Sequence, residues 1–242
     1  MKTIKLQINT NEHRYPVIIG SGLVKKLSNL INKNSIKFDK CLLVIDKRIP
    51  KNLLHKIIKS LSKKKKIIHF FNANESNKNQ SSVNKILQIL LKNNFHRSDC
   101  IISVGGGITG DVVGFTSSIF KRGINFINIP TTLLAQVDSS IGGKTGVNCK
   151  HGKNLIGSFY QPRLVIADTD FLKTLPKREI ICGYSEILKH SLISSKKFFL
   201  YLDKNASKIL NLESPYIEKS IQQSCLIKKK IIEIDEKEKN LR

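Results

Sequence analysis

Hydrophobic positions along the 242-residue chain follow two patterns, and the change between them lies near residue 176. Before that point, short runs of β-branched and aromatic residues alternate with segments whose apolar residues recur at helical spacing. The short runs predict strands at 2–9, 13–19, 41–46, 67–71, 100–104 and 124–129. Beyond residue 176 the strand-like runs stop. The remaining pattern predicts helices at about 178–193, 197–210 and 214–236.

Helical segments also separate the predicted strands. Ser21 can cap the first helix, which runs to about residue 31. The others cover 51–61, 82–93 and a segment that follows the glycines at 105–110 and ends near 119. Strands that alternate with helices are typical of an α/β fold, here a Rossmann-like parallel sheet with helices on both faces. We therefore expect an α/β domain at 1–176 and the start of an all-α domain at 177–242.

Parallel strands place their carboxyl ends at one edge of the sheet, and ligands bind at that edge in such folds. We expect the loop that begins at Asp46 and the loops at 72–78, 105–111 and 130–132 to share this edge. One of them contains Gly105, Gly107 and Gly110 at the spacing G-x-G-x-x-G, after a strand and before a helix. This context favours a cradle for the diphosphate of a dinucleotide.

The glycine pattern alone leaves two interpretations open, because three glycines also suit an ordinary tight turn. The acidic residue expected about 20 residues further on, which would bind the ribose, is absent. Asp46, at the end of the strand CLLVID, is a candidate for that role.

The net charge of +24 comes mainly from lysine, and no aromatic platform joins the lysine runs. We therefore expect a solvated basic surface and no specific nucleic-acid partner, although nonspecific binding at low salt would be unsurprising. No stretch approaches the roughly 20 apolar residues needed to span a bilayer, and the N-terminus has no signal-peptide core. The five cysteines are odd in number and widely spread, which suits reduced thiols in a cytoplasmic protein.

Several candidate ligand-binding residues lie in a glycine-rich segment whose sequence shows little pattern of helix or strand. Asp138, Lys144, Lys153 and Asn154 lie in it, and the two lysines beside glycines suit an anionic ligand such as a phosphate. A flexible basic loop explains the same residues equally well in so lysine-rich a chain.

The helix at about 178–193 places Glu186, Lys189 and His190 on one face, at positions i, i+3 and i+4. A surface ion pair explains this spacing better than a metal-binding carboxylate with a neighbouring cation. In the helix at 214–236, Lys228 falls within a stripe of apolar residues. It either extends outward or points at an anion, and chance placement is the simpler explanation.

Four longer blocks resemble the 3-dehydroquinate synthase family in order and spacing. They read GGGITGDVVGF, RGINFINIPTTLLAQVDSSIGGKTGVN, GKNLIGSFYQP and FLKTLP, and the resemblance covers the whole chain. These blocks are far more specific than the glycines alone, and they favour the dinucleotide interpretation. The resemblance implies an N-terminal NAD-binding α/β domain and a C-terminal helical domain, with a divalent metal, zinc or cobalt, and the substrate between them.

The resemblance also implies roles for individual residues. Positions that match the family's NAD contacts are Asp46, Glu75, Lys78, Gly106, Gly107, Gly110, Asp111, Thr131, Thr132, Lys144, Lys153, Phe171, Leu172, Lys173 and Thr174. Positions that match its substrate-binding and catalytic residues are Arg122, Asp138, Lys144, Asn154, Lys189, Lys228 and Arg242. Glu186 matches the carboxylate that binds the metal, so the resemblance favours the metal over the surface ion pair.

The chemistry implied by the resemblance converts 3-deoxy-D-arabino-heptulosonate 7-phosphate into 3-dehydroquinate and phosphate. NAD transiently oxidises a ring hydroxyl, phosphate is eliminated, and the hydride is returned before ring opening and an intramolecular aldol step. The metal polarises the oxygen that is oxidised. The intact family protein is expected to be a homodimer.

Two departures from the family pattern qualify these expectations. Ala73–Asn74 stands where the family usually has an acidic or proline residue followed by glycine or serine. The family also continues with a segment that carries two histidine ligands, whereas His190 matches no family ligand. We therefore expect a C-terminally truncated chain that is inactive, or nearly so, by itself.

Four alternatives remain open at this point. A sister sugar-phosphate cyclase shares the fold and the cofactor and differs mainly in substrate. An iron-dependent alcohol dehydrogenase is more remote and would release NADH. A basic nucleic-acid-binding module and a nonfunctional remnant are the other two.

Overall fold

The computed structural model describes residues 3–11 and 13–239. The strands are β1 Ile4–Asn9, β2 Arg14–Gly20, β3 Lys40–Asp46, β4 Lys65–Phe71, β5 Cys100–Gly105, β6 Asn125–Pro130, β7 Lys144–Cys149, β8 Gly152–Phe159 and β9 Leu164–Asp168. The helices are α1 Leu27–Lys33, α2 Lys51–Ser60, α3 Gln80–Lys92, α4 Gly107–Ile119, α5 Lys177–Ser194, α6 Lys196–Leu210 and α7 Tyr216–Ile234. None of these helices combines the length and the apolar character needed to cross a bilayer.

Seven of the strands form one sheet in the order β1-β2-β9-β6-β5-β3-β4. β1 runs antiparallel to β2, and every other neighbouring pair in this sheet is parallel. β7 and β8 form a separate antiparallel hairpin. The predicted α/β class, with a mostly parallel sheet followed by helices, is confirmed.

Alternate side chains of the central strands enter two different hydrophobic clusters. Cys41, Leu43 and Ile45 of β3 pack in one cluster with residues of α1 and α2, whereas Leu42 and Val44 pack in the other with residues of α3 and α4. This alternation follows from the two-residue period of a strand. Both faces of the sheet are therefore covered, which explains why β3 reads as a continuous apolar run.

A third cluster joins the three long helices to the other end of the sheet. Residues of β1, β2 and β9 pack there against α5, α6 and α7 and against the segment after β6. The three helices predicted beyond residue 176 are confirmed, with ends within two residues of the expected ones. The domain boundary between 176 and 177 stays a prediction.

The predicted cap at Ser21 is wrong. The chain enters a short 3₁₀ turn, Leu23–Lys26, before α1 begins. Ser21 Oγ instead donates a hydrogen bond to Asp170 Oδ1. The Asp168 carboxylate, at the end of β9, accepts the main-chain N–H groups of Gly22 and Val24. The main-chain N–H groups that the local serine was predicted to cap are therefore bound by Asp168, a carboxylate distant in sequence.

The glycine-rich segment is more ordered than predicted. It begins with a π-helical turn, Ala135–Ser139, and continues as the hairpin of β7 and β8. A Cβ on Gly157 would lie only 2.1 Å from the main-chain oxygen of Thr145 across the hairpin. Glycine is needed for this close approach, and its presence hides the strand pattern in the sequence. Strand β9 was not predicted either.

A glycine in α5 sets how closely that helix approaches the π-helical turn. A Cβ on Gly183 would lie 2.5 Å from Leu133 Cβ and 2.6 Å from the main-chain nitrogen of Leu134. The second of these atoms is backbone, so the neighbouring chain cannot make room cheaply.

We predict that Gly183→Ala lowers the free energy of unfolding by about 1–3 kcal/mol, because overpacking exceeds the gain in helix propensity. Urea unfolding followed by circular dichroism measures this change. Cys182→Ala, at an exposed position of the same helix, serves as the control and should stay within about 0.5 kcal/mol of the parent. Equal stability of Gly183→Ala and the parent would show that α5 does not depend on this close contact.

Candidate active site

The carboxyl ends of the central strands are aligned at one edge of the sheet. Asp46, the last residue of β3, pairs with Phe71, the last residue of β4. Gly105 at the end of β5 pairs with Pro130 at the end of β6. The predicted shared edge is therefore confirmed, and the loops that follow these strands lie side by side.

The glycine turn between β5 and α4 presents the start of a helix at this edge. No side chain of the described residues caps α4 at its N-terminus, where Gly106 is the capping position. A Cβ on Gly106 would lie 3.1 Å from Thr132 Cγ2, and one on Gly107 would lie 3.0 Å from Ser139 Oγ. The narrow turn and the uncapped N–H groups fit a dinucleotide diphosphate.

The candidate ribose-binding carboxylate is already held by an arginine that the sequence analysis did not identify. Arg48 Nη2 lies 2.7 Å from Asp46 Oδ2, and Arg48 Nε donates to both carboxylate oxygens. Nη2 also donates to the main-chain oxygen of Ala73. Asp46 is almost fully buried, so the pair fixes its orientation and joins the loops after β3 and β4.

A buried lysine connects three parts of the site. Lys78 Nζ lies 2.5 Å from Asp111 Oδ2 of α4 and 2.5 Å from Asn154 Oδ1 of β8. Burial raises the pKa of Asp111 above its usual value, although the Lys78 ammonium opposes this effect. Asn154 adopts a left-handed backbone conformation, with φ of 59°, which asparagine tolerates better than most residues.

A cavity of about 560 Å³ lies between this network and α7. The titratable and polar residues that line it include Asp111, Asp138, Lys144, Asn154, Lys228 and Glu238. Lys144 pairs with Glu238. The structure therefore brings together five predicted site residues, which come from α4, the glycine-rich segment and α7.

Lys228 points into this cavity. Its Nζ atom lies 2.5 Å from Asp138 Oδ1 and also donates to the main-chain oxygen of Asp138. Burial alone would raise the pKa of Asp138, but the Lys228 ammonium lowers it below the usual value. Chance placement of Lys228 is therefore the wrong interpretation, because the lysine reaches an anion from a helix whose other inward residues, Ile221 and Cys225, are buried.

Two further side chains with metal-binding atoms, Glu186 and His190, lie beside Asp138. Ligand atoms of Asp138, Glu186 and His190 all lie within 4.8 Å of one another. Glu186 Oε1 is buried and forms no hydrogen bond with any described residue, although Lys189 Nζ lies 2.5 Å and His190 Nε2 lies 3.1 Å away. Oxygen and imidazole donors suit a divalent cation such as zinc or cobalt.

The imidazole in this cluster is buried. Burial lowers the pKa of His190 below its usual value, although the carboxylate of Glu186 opposes the effect. A neutral imidazole is the form that binds metals. The sequence pattern contained this signal, since Glu186 and His190 are four residues apart on one helix face.

The remaining predicted NAD contacts lie around the same edge. Thr131 and Thr132 directly follow β6. Glu75 and Lys153 are exposed, and Lys153 Nζ lies 3.5 Å from Glu75 Oε1. A hydrogen bond from Asn148 is the main cause that lowers the pKa of Glu75. The residues of the 3₁₀ segment after β9 include Phe171, Leu172, Lys173 and Thr174. Phe171 and Leu172 are fully buried, whereas Lys173 and Thr174 are exposed.

Arg122, a predicted substrate residue, does not line this cavity. Arg122 follows α4 and therefore lies at the opposite edge of the sheet, in a second cavity of about 540 Å³ that Arg14, Arg97 and Arg163 also line. Its backbone is left-handed, with φ of 63°. Within the described chain, Arg122 cannot act with Asp138 and Lys228. Arg242 lies outside the described residues.

Comparison with known proteins assigns the family. A family model described as "3-dehydroquinate synthase N-terminal" matches residues 68–182, and one described as "3-dehydroquinate synthase C-terminal" matches residues 183–242. A 3-dehydroquinate synthase of Pelagibacter ubique (strain HTCC1062) is 64% identical over the whole chain, which spans 66% of that relative's length. One of Thermoanaerobacter pseudethanolicus (strain ATCC 33223 / 39E) is 38% identical over 98% of this chain and 67% of its own length.

Solved structures agree with this assignment. A 2-deoxy-scyllo-inosose synthase complexed with carbaglucose-6-phosphate, NAD⁺ and Co²⁺ superimposes with a TM-score of 0.87 and 28% identity, over 98% of this chain and 64% of that chain. The match includes the sheet, the glycine turn and the three long helices described above, since it covers nearly the whole chain. The chain belongs to the 3-dehydroquinate synthase family.

Proposed function

We propose that this chain forms the NAD-binding part and most of the substrate-binding part of a 3-dehydroquinate synthase. The proposed reaction converts 3-deoxy-D-arabino-heptulosonate 7-phosphate into 3-dehydroquinate and phosphate. The observation that supports it best is the cavity in which Asp138, Lys144, Asn154 and Lys228 meet. Ser139 lines the same cavity and also lies against the glycine turn, so a ligand there would adjoin a bound dinucleotide.

In this proposal, the start of α4 binds the diphosphate of NAD through its uncapped N–H groups. Asp46, held by Arg48, accepts a hydrogen bond from the adenosine ribose. NAD supplies a transient hydride acceptor for a ring hydroxyl of the substrate. The exposed side chains of Glu75 and Lys153 contact the cofactor from the loops beside it.

The substrate carries a phosphate and a carboxylate, and the cavity offers two ammonium groups that are paired inside the chain. Lys228 pairs with Asp138 and Lys144 with Glu238. Outside the cavity lining, Lys189 pairs with Glu186. An anionic substrate would replace these carboxylates as the partners of the lysines. Because the pKa of Asp138 is lowered, its carboxylate stays ionised and can accept a hydrogen bond from a substrate hydroxyl.

Glu186, whose buried Oε1 has Lys189 Nζ at 2.5 Å but forms no hydrogen bond with any described residue, is the proposed metal-binding carboxylate. A divalent metal there would polarise the hydroxyl that is oxidised. Lys189, beside it on α5, would bind an anionic group of the substrate. The homodimer, the cytoplasmic location and the low activity expected of the 242-residue chain stay predictions.

A different sugar-phosphate cyclase is the second candidate, because the structural match to 2-deoxy-scyllo-inosose synthase also covers nearly the whole chain. The two candidates share the fold and differ in the ligand that fills the cavity. Binding of heptulosonate phosphate without binding of sedoheptulose 7-phosphate or carbaglucose-6-phosphate would support the synthase. The reverse preference would contradict it.

We predict that NAD at about one hundred times its Kd raises Tm by roughly 5–10 °C, as expected for a ligand that binds only the folded state. Gly107→Val should abolish this shift, because its side chain would occupy the narrow space beside Ser139. Differential scanning fluorimetry provides the measurement. Ile119→Val, at the exposed far end of α4, is the control and should keep the parent's shift. An NAD shift that survives in Gly107→Val would place the cofactor elsewhere.

We predict that Lys228→Met weakens heptulosonate phosphate binding at least tenfold in the presence of NAD, because it removes an ammonium from the cavity. Isothermal titration calorimetry measures this loss. Lys230→Met removes an exposed charge from the same helix and serves as a control for net charge. If both variants lose affinity equally, the cationic surface rather than Lys228 attracts the ligand.

We predict that Asp138→Asn lowers the free energy of unfolding by about 1 kcal/mol near neutral pH, since its partly exposed pair with Lys228 is lost. The folded pKa of Asp138 is lowered, below an unfolded value of about 3.9. The contribution is therefore present above that value and disappears as the pH falls through the folded pKa.

Urea unfolding of Asp138→Asn and the parent, at steps from about pH 7 to about pH 3, tests this dependence. Asp203→Asn changes an exposed carboxylate on α6 and is the control. A stability difference between Asp138→Asn and the parent that persists unchanged at the acid end would exclude the ion pair as its source.

A further inference from the structure

The amino edge of the central sheet, opposite the candidate active site, carries a row of arginines. Arg14 is the first residue of β2, Arg163 directly precedes β9, and Arg97 lies in the turn before β5. The strands β2, β9, β6 and β5 are consecutive in the sheet and parallel to one another. Because parallel strands begin at the same edge, the topology gathers three guanidinium groups that are far apart in the sequence.

Two neighbouring cavities lie along this row, and we call them together the arginine cleft. One cavity, of about 520 Å³, is lined by Arg14, Arg163 and Lys37. The other, of about 540 Å³, is lined by Arg14, Arg163 and Arg97. Arg122 also lines the second cavity, but the family resemblance already implies a substrate role for it. The site is therefore built on the other three arginines, two of which border both cavities.

The arginines of the cleft have no carboxylate partner within residues 3–11 and 13–239. No aspartate or glutamate from this part of the chain lines either cavity. Arg163 Nε donates to Asn125 Oδ1 at 3.3 Å, and this acceptor is uncharged. The lysines of the candidate active site differ, because Lys144 and Lys228 already contact carboxylates. The guanidinium groups of the cleft can therefore bind an external anion without displacing an acidic side chain.

The use of arginine distinguishes the cleft from the general basic surface of the protein. Seven of the 42 lysines and arginines in the sequence are arginines. Four of these seven line the second cavity, and no described lysine lines it. A surface that was merely basic would carry mainly lysine in such a chain. A planar guanidinium binds phosphate oxygens through two parallel N–H donors, which an ammonium cannot do.

The spacing of the arginines indicates the shape of the anion. Adjacent strands lie about 4.8 Å apart, so the three intervals between β2 and β5 separate Arg14 from Arg97 by roughly 14 Å. A single phosphate group cannot span this distance, whereas a chain of phosphoryl groups can contact each arginine in turn. Both cavities also have volumes typical of sites for small molecules.

We propose that the arginine cleft binds a linear polyphosphate, either a free inorganic chain such as tripolyphosphate or the triphosphate of a nucleotide. Arg14, Arg163 and Arg97 each bind a different phosphoryl group through paired N–H donors. The cleft and the glycine turn lie at opposite edges of the sheet, so this inference does not depend on the proposed function.

Isothermal titration calorimetry of the 242-residue chain at about 0.15 M salt tests the proposal, because screening at that ionic strength weakens nonspecific attraction. We expect tripolyphosphate to bind at least about tenfold more tightly than orthophosphate. Arg163→Gln and Arg14→Gln should each weaken tripolyphosphate binding at least about tenfold. Arg163→Lys should also weaken it, since an ammonium keeps the charge but lacks the second parallel donor. Arg178→Gln removes the same charge from an exposed position on α5 and is the control, which should match the parent.

Titration with adenosine triphosphate separates the two sources of the phosphate chain. An affinity equal to or below that of tripolyphosphate assigns the cleft to the inorganic chain. Tighter binding of the nucleotide, with the same loss in Arg163→Gln, assigns the cleft to a nucleotide whose nucleoside adds a contact.

The proposal is overturned if tripolyphosphate does not bind the parent, or if Arg163→Gln and Arg178→Gln lose affinity equally. Lys228→Met should keep the parent's affinity for tripolyphosphate. Loss of binding in Lys228→Met, with binding retained in Arg163→Gln, would place the anion in the candidate active site and would also overturn the proposal. Displacement of tripolyphosphate by saturating NAD would do the same, because it would place the anion at the glycine turn. Failure of NAD itself to bind would count against the proposed function and leave the results of the arginine variants intact.

Discussion

The contact between Lys228 and Asp138 fixes the candidate site, because it joins the helical part of the chain to the turn after the central strand β6. Asp138 lies in a π-helical turn, a rare element that often occurs at functional sites. Lys228 reaches it from α7 with both a carboxylate and a main-chain oxygen as acceptors. The same turn packs against α5 through Gly183, whose lack of a side chain lets α5 bring Glu186 close to Asp138.

The charges of the site are balanced in pairs before any ligand binds. Lys78, Lys144, Lys189 and Lys228 each contact a carboxylate, and these carboxylates belong to different elements. Lys78 and Lys228 are largely buried, and buried charges are costly unless they are paired, so their pairing matters for the fold while all four lysines stay close to the cavity. The chain has a net charge of +24, so lysine is common everywhere. The four lysines of the site are distinguished by the carboxylates that they contact.

Much of the fold could be predicted from the sequence, because buried strands and amphipathic helices have regular periods. β3, β5 and α3 were predicted for that reason, and the shared sheet edge followed from their parallel order. The hairpin of β7 and β8 was missed, because Gly146 and Gly157 serve its close backbone approach and contribute no apolar alternation. Ser21 was misread because its partner, Asp170, is distant in sequence.

The candidate site was predictable only in part. Asp138, Lys144, Asn154 and Lys228 were identified through the family resemblance, and the structure brings them to one cavity. Their contacts, Lys228 with Asp138, Lys144 with Glu238 and Asn154 with Lys78, depend on tertiary distances that no local pattern contains. The same limit explains why the role of Arg48 was missed and why Arg122 was predicted to act with residues of a cavity that it does not line.

The central claim is that the glycine turn and the Asp138–Glu186 region face one common ligand space. A crystal structure of the chain with NAD tests this claim most directly, through the positions of the diphosphate and the nicotinamide ring. We expect the diphosphate at the start of α4 and the nicotinamide beside the cavity lined by Asp138 and Lys228. Ordered NAD bound away from the α4 N-terminus, or with its nicotinamide directed away from this cavity, would contradict it.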